Sequence, residues 1–134
     1  MFPTTEERVA AEEERLGRRL PDDLRRRILE ENGGEIEVVG DFASPEQADN
    51  VWQLVGVEDV VERKGRPRPV TGMARMTAEQ REWKELPEGA IVVGHDEDGN
   101  DLLLMPDDSL VVHWHDADEG ELDAATAYWR VRDL

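Results

Sequence analysis

The residues best equipped for chemistry are acids and histidines gathered in the last third of the chain. Asp96-Glu97-Asp98-Gly99-Asn100-Asp101 sets side-chain oxygens at alternate positions, as the start of a calcium loop does. The pattern then departs from an EF-hand. Asp101 stands where the loop needs Gly, and Asp107 where it needs Glu. A hairpin turn, with Asp98-Gly99 supplying positive backbone dihedrals, accounts for the same residues. All three histidines, His95, His113 and His115, lie close by. His113 and His115 share a sheet face and form a possible pair with Asp116 or Asp118, weak enough to read as adventitious metal uptake. With Asp98-Gly99 at the centre of an even hairpin, His95 pairs with Leu102 and Leu102 with His113. The outer imidazoles then stand ~10 Å apart, too far to share one ion. No metal site and no cofactor are expected.

The inventory for catalysis is poor. The chain has no cysteine, and its two serines, Ser44 and Ser109, fall in turns. No Gly-x-Ser-x-Gly, His-Glu-x-x-His or phosphate-cradling glycine loop occurs. Carboxylates are so abundant that any pair of them is uninformative. No catalytic residue is assigned, and the chain reads as a binding protein rather than an enzyme. Trp52, Trp83, Trp114 and Trp129 are spaced widely enough to be core residues.

Charge narrows the choice of partner. Over 134 residues, 33 acids against 16 bases give a net −17. Nucleic acid and anionic membranes would repel such a chain, and a basic partner suits it. Residues 95–134 hold 12 acids and 2 bases, more than half of the net charge. Fourteen of the bases are Arg, which fits either a G+C-rich coding bias or adaptation to salt. No apolar run approaches the ~20 residues of a membrane helix. The start Met-Phe-Pro-Thr-Thr-Glu-Glu does not resemble a secretory signal, so a cytoplasmic protein is expected.

These residues need elements to position them. Thr4 and Glu7 form a capping box for a first helix with Val9 and Leu16 on one face and Gly17 as its stop. Pro21-Asp22-Asp23 opens a second helix, burying Leu20, Leu24, Ile28 and Leu29 and turning Arg25, Arg26 and Arg27 outward. Asn32-Gly33-Gly34 ends it. Glu35 to Val39 alternates as a strand with Ile36 and Val38 inward, and Val51 to Val55 is a second strand. Gly40 to Asn50 is turn-rich. Val57 to Arg63 suggests a short helix, and Lys64 to Pro69 a loop, since two prolines and a glycine oppose regular structure. Thr77 and Gln80 cap a helix through Lys84, with Met76, Trp83 and Leu86 buried. Ala90–Gly94, Asp101–Met105 and Leu110–His115 read as a three-stranded antiparallel meander. Its two faces, Val92, Leu103, Leu110, Val112 and Trp114 against Ile91, Val93, Leu102, Leu104 and Val111, are both apolar, so both need cover or one is a docking surface. Asp116 to Asp123 is an acidic loop, and Ala124 to Arg130 a short helix or final edge segment held by Tyr128 and Trp129. The fold class is α+β, one domain over 1–134, mainly antiparallel, with the meander near the C-terminus and helices packed around it.

Two stretches carry a family resemblance. Leu16-Gly17-Arg18-Arg19-Leu20-Pro21-Asp22-Asp23-Leu24 running into Glu31-Asn32-Gly33-Gly34 resembles the opening motif of the SUKH superfamily. Leu86-Pro87, then Ala90-Ile91-Val92-Val93-Gly94 and Asp98-Gly99-Asn100-Asp101-Leu102-Leu103-Leu104, resembles its second, a hairpin. The similarity spans roughly residues 5–115. Leu24 replaces a frequent aromatic, and Asn100-Asp101 a preferred Gly-Asp. The resemblance implies an immunity protein that binds and neutralises a cognate toxin, and the acidity points to a basic nuclease. The alternative, drawn from fungal cell-wall-assembly regulators of the superfamily, is an intracellular regulatory scaffold. The expected docking edge is Asp96, Glu97, Asp98, Asp101, Asp116, Asp118, Glu119 and Glu121, on a monomer or weak dimer.

Overall fold

A computed structural model describes residues 3–40, 50–114 and 122–129. Three helices and eight strands follow one another as α1 (Glu6–Leu16), α2 (Asp22–Glu30), β1 (Glu35–Val39), β2 (Trp52–Leu54), β3 (Asp59–Arg63), β4 (Arg66–Val70), α3 (Met73–Trp83), β5 (Ile91–Asp96), β6 (Asp101–Leu104), β7 (Leu110–His113) and β8 (Leu122–Tyr128). The fold is α+β and its strand pairs are antiparallel. Six strands close into a barrel in the order β1-β2-β5-β6-β7-β8, with β8 pairing back onto β1, while β3 and β4 form a separate hairpin.

One sheet face carries Ile36, Val38, Trp52, Leu54, Leu102, Leu104 and Val112, all buried. Leu24 of α2 lines a cleft with Leu104, Leu110 and Ala125 of that face, so α2 covers it. On the other face, Val92 and Leu103 are fully buried, and α3 packs on β5 beside them. There the Thr77 hydroxyl accepts the Val92 backbone N–H at 2.9 Å. The meander is thus covered on both faces as its apolar pattern requires, but its register differs from the expected one. The turns are of odd length, so His95 pairs with Asp101 and Gly94 with Leu102, each shifted by one, and a bulge between Val92 and Gly94 makes the shift two at Val92 and Ile91. Leu102 in turn pairs with Val112, and Asp101 with His113.

The helices are fixed by polar groups that patterning does not show. Thr5, not Thr4, caps α1, accepting from the Arg8 N–H at 3.3 Å. The Thr4 hydroxyl donates to Asp59 instead, at 2.7 Å. Gly17 ends α1 in the left-handed region at φ 74°. Arg27 does not turn outward with its neighbours. It is 1% exposed and donates to the carbonyls of Glu31, Gly33 and Glu35, tying the end of α2 to the start of β1. Burial pulls its guanidinium below the usual pKa, opposed by Glu31 and Glu30.

Glu12 of α1 is fully buried and accepts the N–H groups of Glu58 at 2.6 Å and Ala74 at 3.1 Å. It therefore caps the start of α3 from another helix. The close approach needs Gly72, where a Cβ would stand 2.1 Å from Glu12 Oε1. With this cap, α3 begins at Met73, ahead of the expected Thr77. Asn32 is buried and holds Val57 by both backbone groups, Nδ2 to the carbonyl at 3.0 Å and Oδ1 from the N–H at 2.8 Å.

Three segments correct the sequence reading. Val57 to Arg63 is not a helix, and the proline-rich stretch after it is not a loop. Asp59 to Arg63 pairs with Arg66 to Val70. Lys64 and Gly65, at φ 55° and 73°, form the two-residue turn that suits such a ribbon. Pro67 and Pro69 fall opposite Glu62 and Val60. In this register those are the pairs without ladder hydrogen bonds, so no N–H is missed. Leu122 to Tyr128 is a strand with alternating exposure, paired to β7 and β1. It is neither a helix nor an edge. The stretch Gly40 to Asn50 and the acidic loop lie largely outside the described residues.

Candidate partner-binding surface

The expected acidic docking edge divides once its geometry is seen. Asp96 is 5% exposed. Its Oδ1 accepts the N–H groups of Asp98 at 3.0 Å and Asn100 at 2.8 Å. Its Oδ2 accepts the amides of Asn100 at 2.7 Å and Asn50 at 2.8 Å. This carboxylate builds the turn. Asp101 is 1% exposed and meets Lys84 Nζ at 2.9 Å, and the same ammonium donates to the Gly99 carbonyl at 2.7 Å. Asp96 and Asp101 thus spend their oxygens inside the protein.

Glu97 and Asp98 remain exposed. Asp98 accepts from Asn50 at 3.0 Å, and Glu97 from the Val51 N–H at 3.5 Å. Asp116, Asp118, Glu119 and Glu121 lie outside the described residues, as does His115. The strands on either side of that segment are joined at the pair His113–Leu122, and His113 also pairs with Asp101. A cross-strand row therefore runs Gln53, His95, Asp101, His113, Leu122 on the outer face. The two imidazoles flank Asp101 rather than Leu102. Among the described residues no group of three or more His, Asp or Glu is placed to hold a metal ion.

The residue that sequence reading placed wrongly here is Trp83. It is not core but 84% exposed. The buried stripe of α3 runs through Met73 and Thr77, and Trp83 lies ten and six residues further on, off that stripe. Starting the helix at Thr77 hides this. Starting it at the close-packed Gly72 reveals it. Trp83 directly precedes Lys84, whose ammonium reaches the 96–101 turn. Val51 beside that turn is 42% exposed and Leu122 at the end of the row 38%. Two aliphatic side chains and two carboxylates are thus open to solvent along this turn and row, and Trp83 is exposed next to the lysine that meets the turn. Acids elsewhere are exposed too, among them Glu7, Glu14, Asp22, Glu37, Glu82 and Glu88 on other elements. The charge of the described residues is therefore spread over the surface, as solubility in salt would also have it.

At the opposite turn, Asp107 accepts the Ser109 hydroxyl at 2.6 Å and N–H at 3.0 Å, which hold its carboxyl below the ordinary range. Arg18, from the first motif, donates there to the Met105 carbonyl at 3.0 Å and pairs with Asp108. Arg18, of the first sequence motif, thus holds the turn that directly follows the second.

Helix pair, close-packed Asn-Gly-Gly and antiparallel hairpin define a class, and the family comparison agrees. Residues 3–127 match the SMI1 / KNR4 family (SUKH-1), and the chain belongs to it. No curated protein and no solved structure matches it. Among the described residues, no helix is long and apolar enough to cross a membrane.

Proposed function

We propose that this protein is a cytoplasmic immunity protein that binds and neutralises a cognate toxin, a basic nuclease, through the face that carries Trp83. The observation that carries the reading is Trp83 itself. A tryptophan left 84% exposed, next in sequence to the lysine whose ammonium meets the turn that carries exposed Glu97 and Asp98, has the make-up of an interface anchor with an acidic rim. Family membership supports it, because SUKH proteins include toxin-immunity proteins. Asp116, Asp118, Glu119 and Glu121, close in sequence to Leu122, complete the acidic complement in this proposal. The rim steers a basic partner and speeds encounter, and the apolar centre sets the rate of leaving.

Co-expression with a toxin domain, should one be encoded beside this gene, tests the proposal. The wild-type chain should relieve growth arrest. Trp83→Ala should lose relief and weaken binding by about 2 kcal/mol or more. Relief by Trp83→Ala equal to the wild type would remove this face from the interface. If no neighbouring toxin is bound but a housekeeping protein is, the chain is the regulatory scaffold instead.

A further inference from the structure

The β3–β4 hairpin plays no part in that face. Among the described elements its main packing is of its two strands on each other. Its base is fixed: Asp59, 7% exposed, takes the Thr4 hydroxyl at 2.7 Å and Arg8 at 2.9 Å. Its tip is the tight Lys64-Gly65 turn. Between them Arg66 and Arg68 share one face and are exposed. Glu62 lies opposite Pro67 on the other face, so it does not neutralise them.

Elsewhere among the described residues seven basic side chains are paired with carboxylates, while Arg26, Arg75 and Arg81 are not and stand singly on the helices. Arg8, Arg15, Arg18, Arg19, Arg25, Arg27 and Lys84 all lie within 4.0 Å of a carboxylate. Lys64, Arg66 and Arg68 form no ion pair among the described residues, although the chain holds 33 acids. The hairpin also resists strand addition. Pro67 and Pro69 leave the outer edge of β4 without N–H groups, and the Val60 N–H on the other edge is taken by Asp59 at 2.6 Å. Contacts along β4 therefore come through side chains.

We infer that this hairpin is a cationic arm that docks an acidic stretch of a partner protein on Arg66 and Arg68. Its five-residue strands reach about 16 Å, roughly two screening lengths at physiological salt, so the arm presents its own charge rather than that of the barrel. Alternate residues on β4 stand about 6.6 Å apart, the spacing of alternate carboxylates on an extended acidic segment. A nucleic acid fits less well. Its charge continues past the arm and onto the acidic barrel, in a chain of net −17.

The test is fluorescence anisotropy of the full chain with two labelled probes, octaglutamate and octathymidylate, at low salt. Octaglutamate should bind, and Arg66→Glu with Arg68→Glu should weaken it at least about tenfold. Glu97→Gln with Asp98→Asn should leave it no weaker. Thermal melts should show both variants folded, and Arg66→Gln with Arg68→Gln serves if the charge reversal is not. Three results overturn the inference: no octaglutamate binding, unchanged binding by the arginine variants, or tighter binding of octathymidylate. None of them involves the toxin, so this inference can fail while the proposed function stands.

Discussion

At the scale of single residues, buried polar groups hold the structure in place, and they were the hardest to read. Nothing in Glu12-Glu13-Glu14 singles out the first as buried, because its partners are the N–H groups of Glu58 and Ala74, far along the chain. Glu12→Ala should cost about 3 kcal/mol in urea unfolding, leaving two donors without an acceptor. Glu12→Gln, which keeps one acceptor oxygen, should cost less. Asn32 was legible only as a helix stop, yet its amide is a substitute strand partner for Val57. The 96–101 turn read better in place than in type: Gly99 has the expected positive φ, but Asp98 does not and the turn is odd. Asp107 gives a pH test. Its carboxyl is held low by Ser109, so this interaction stabilises the fold above the ordinary carboxylate range and fades as pH falls through it. Ser109→Ala should move the Asp107 titration upward in a carboxyl NMR experiment.

At the scale of elements, local pattern succeeded where the chain pairs with its near neighbours. Helices α1 and α2 and strands β1, β5, β6 and β7 stand close to their expected places. It failed where a distant partner decides. Ala124-Ala125-Thr126-Ala127 has little strand preference, yet β8 is flanked by β7 and β1 and takes their conformation. The prolines of β4 are tolerated because their nitrogens face away from the ladder. The start of α3 depends on Glu12, so Trp83 was assigned to the wrong side. That error has a direct check. Trp83→Ala should shift the melting temperature by no more than about 2 °C, as a surface change does. A core tryptophan would cost several times more.

At the scale of the whole molecule, closure by β8 is the decisive feature. It covers the β7 and β1 edges at once, with Val38 opposite Ala127 and Val112 opposite Asp123. A chain ending before Leu122 should lose its cooperative unfolding transition and bind a hydrophobic dye, because both edges and the Leu110 side of the core would open. The bulk charge reads differently at this scale than it did in the sequence. Acids exposed on α1, α2, α3 and β1 serve the whole surface, so net −17 does not by itself locate a partner. In the proposed complex the exposed tryptophan carries that role, and raised salt should slow association while changing dissociation little.

The same closure sets an order in time. β1 leaves the ribosome well before β8, and cannot join it until all the strands between them have been made. Contacts so distant in sequence form late and slowly. Until then β1 and β7 each carry an unmatched edge, and the nascent chain depends on its N-terminal helix pair to keep the half-built sheet from pairing elsewhere.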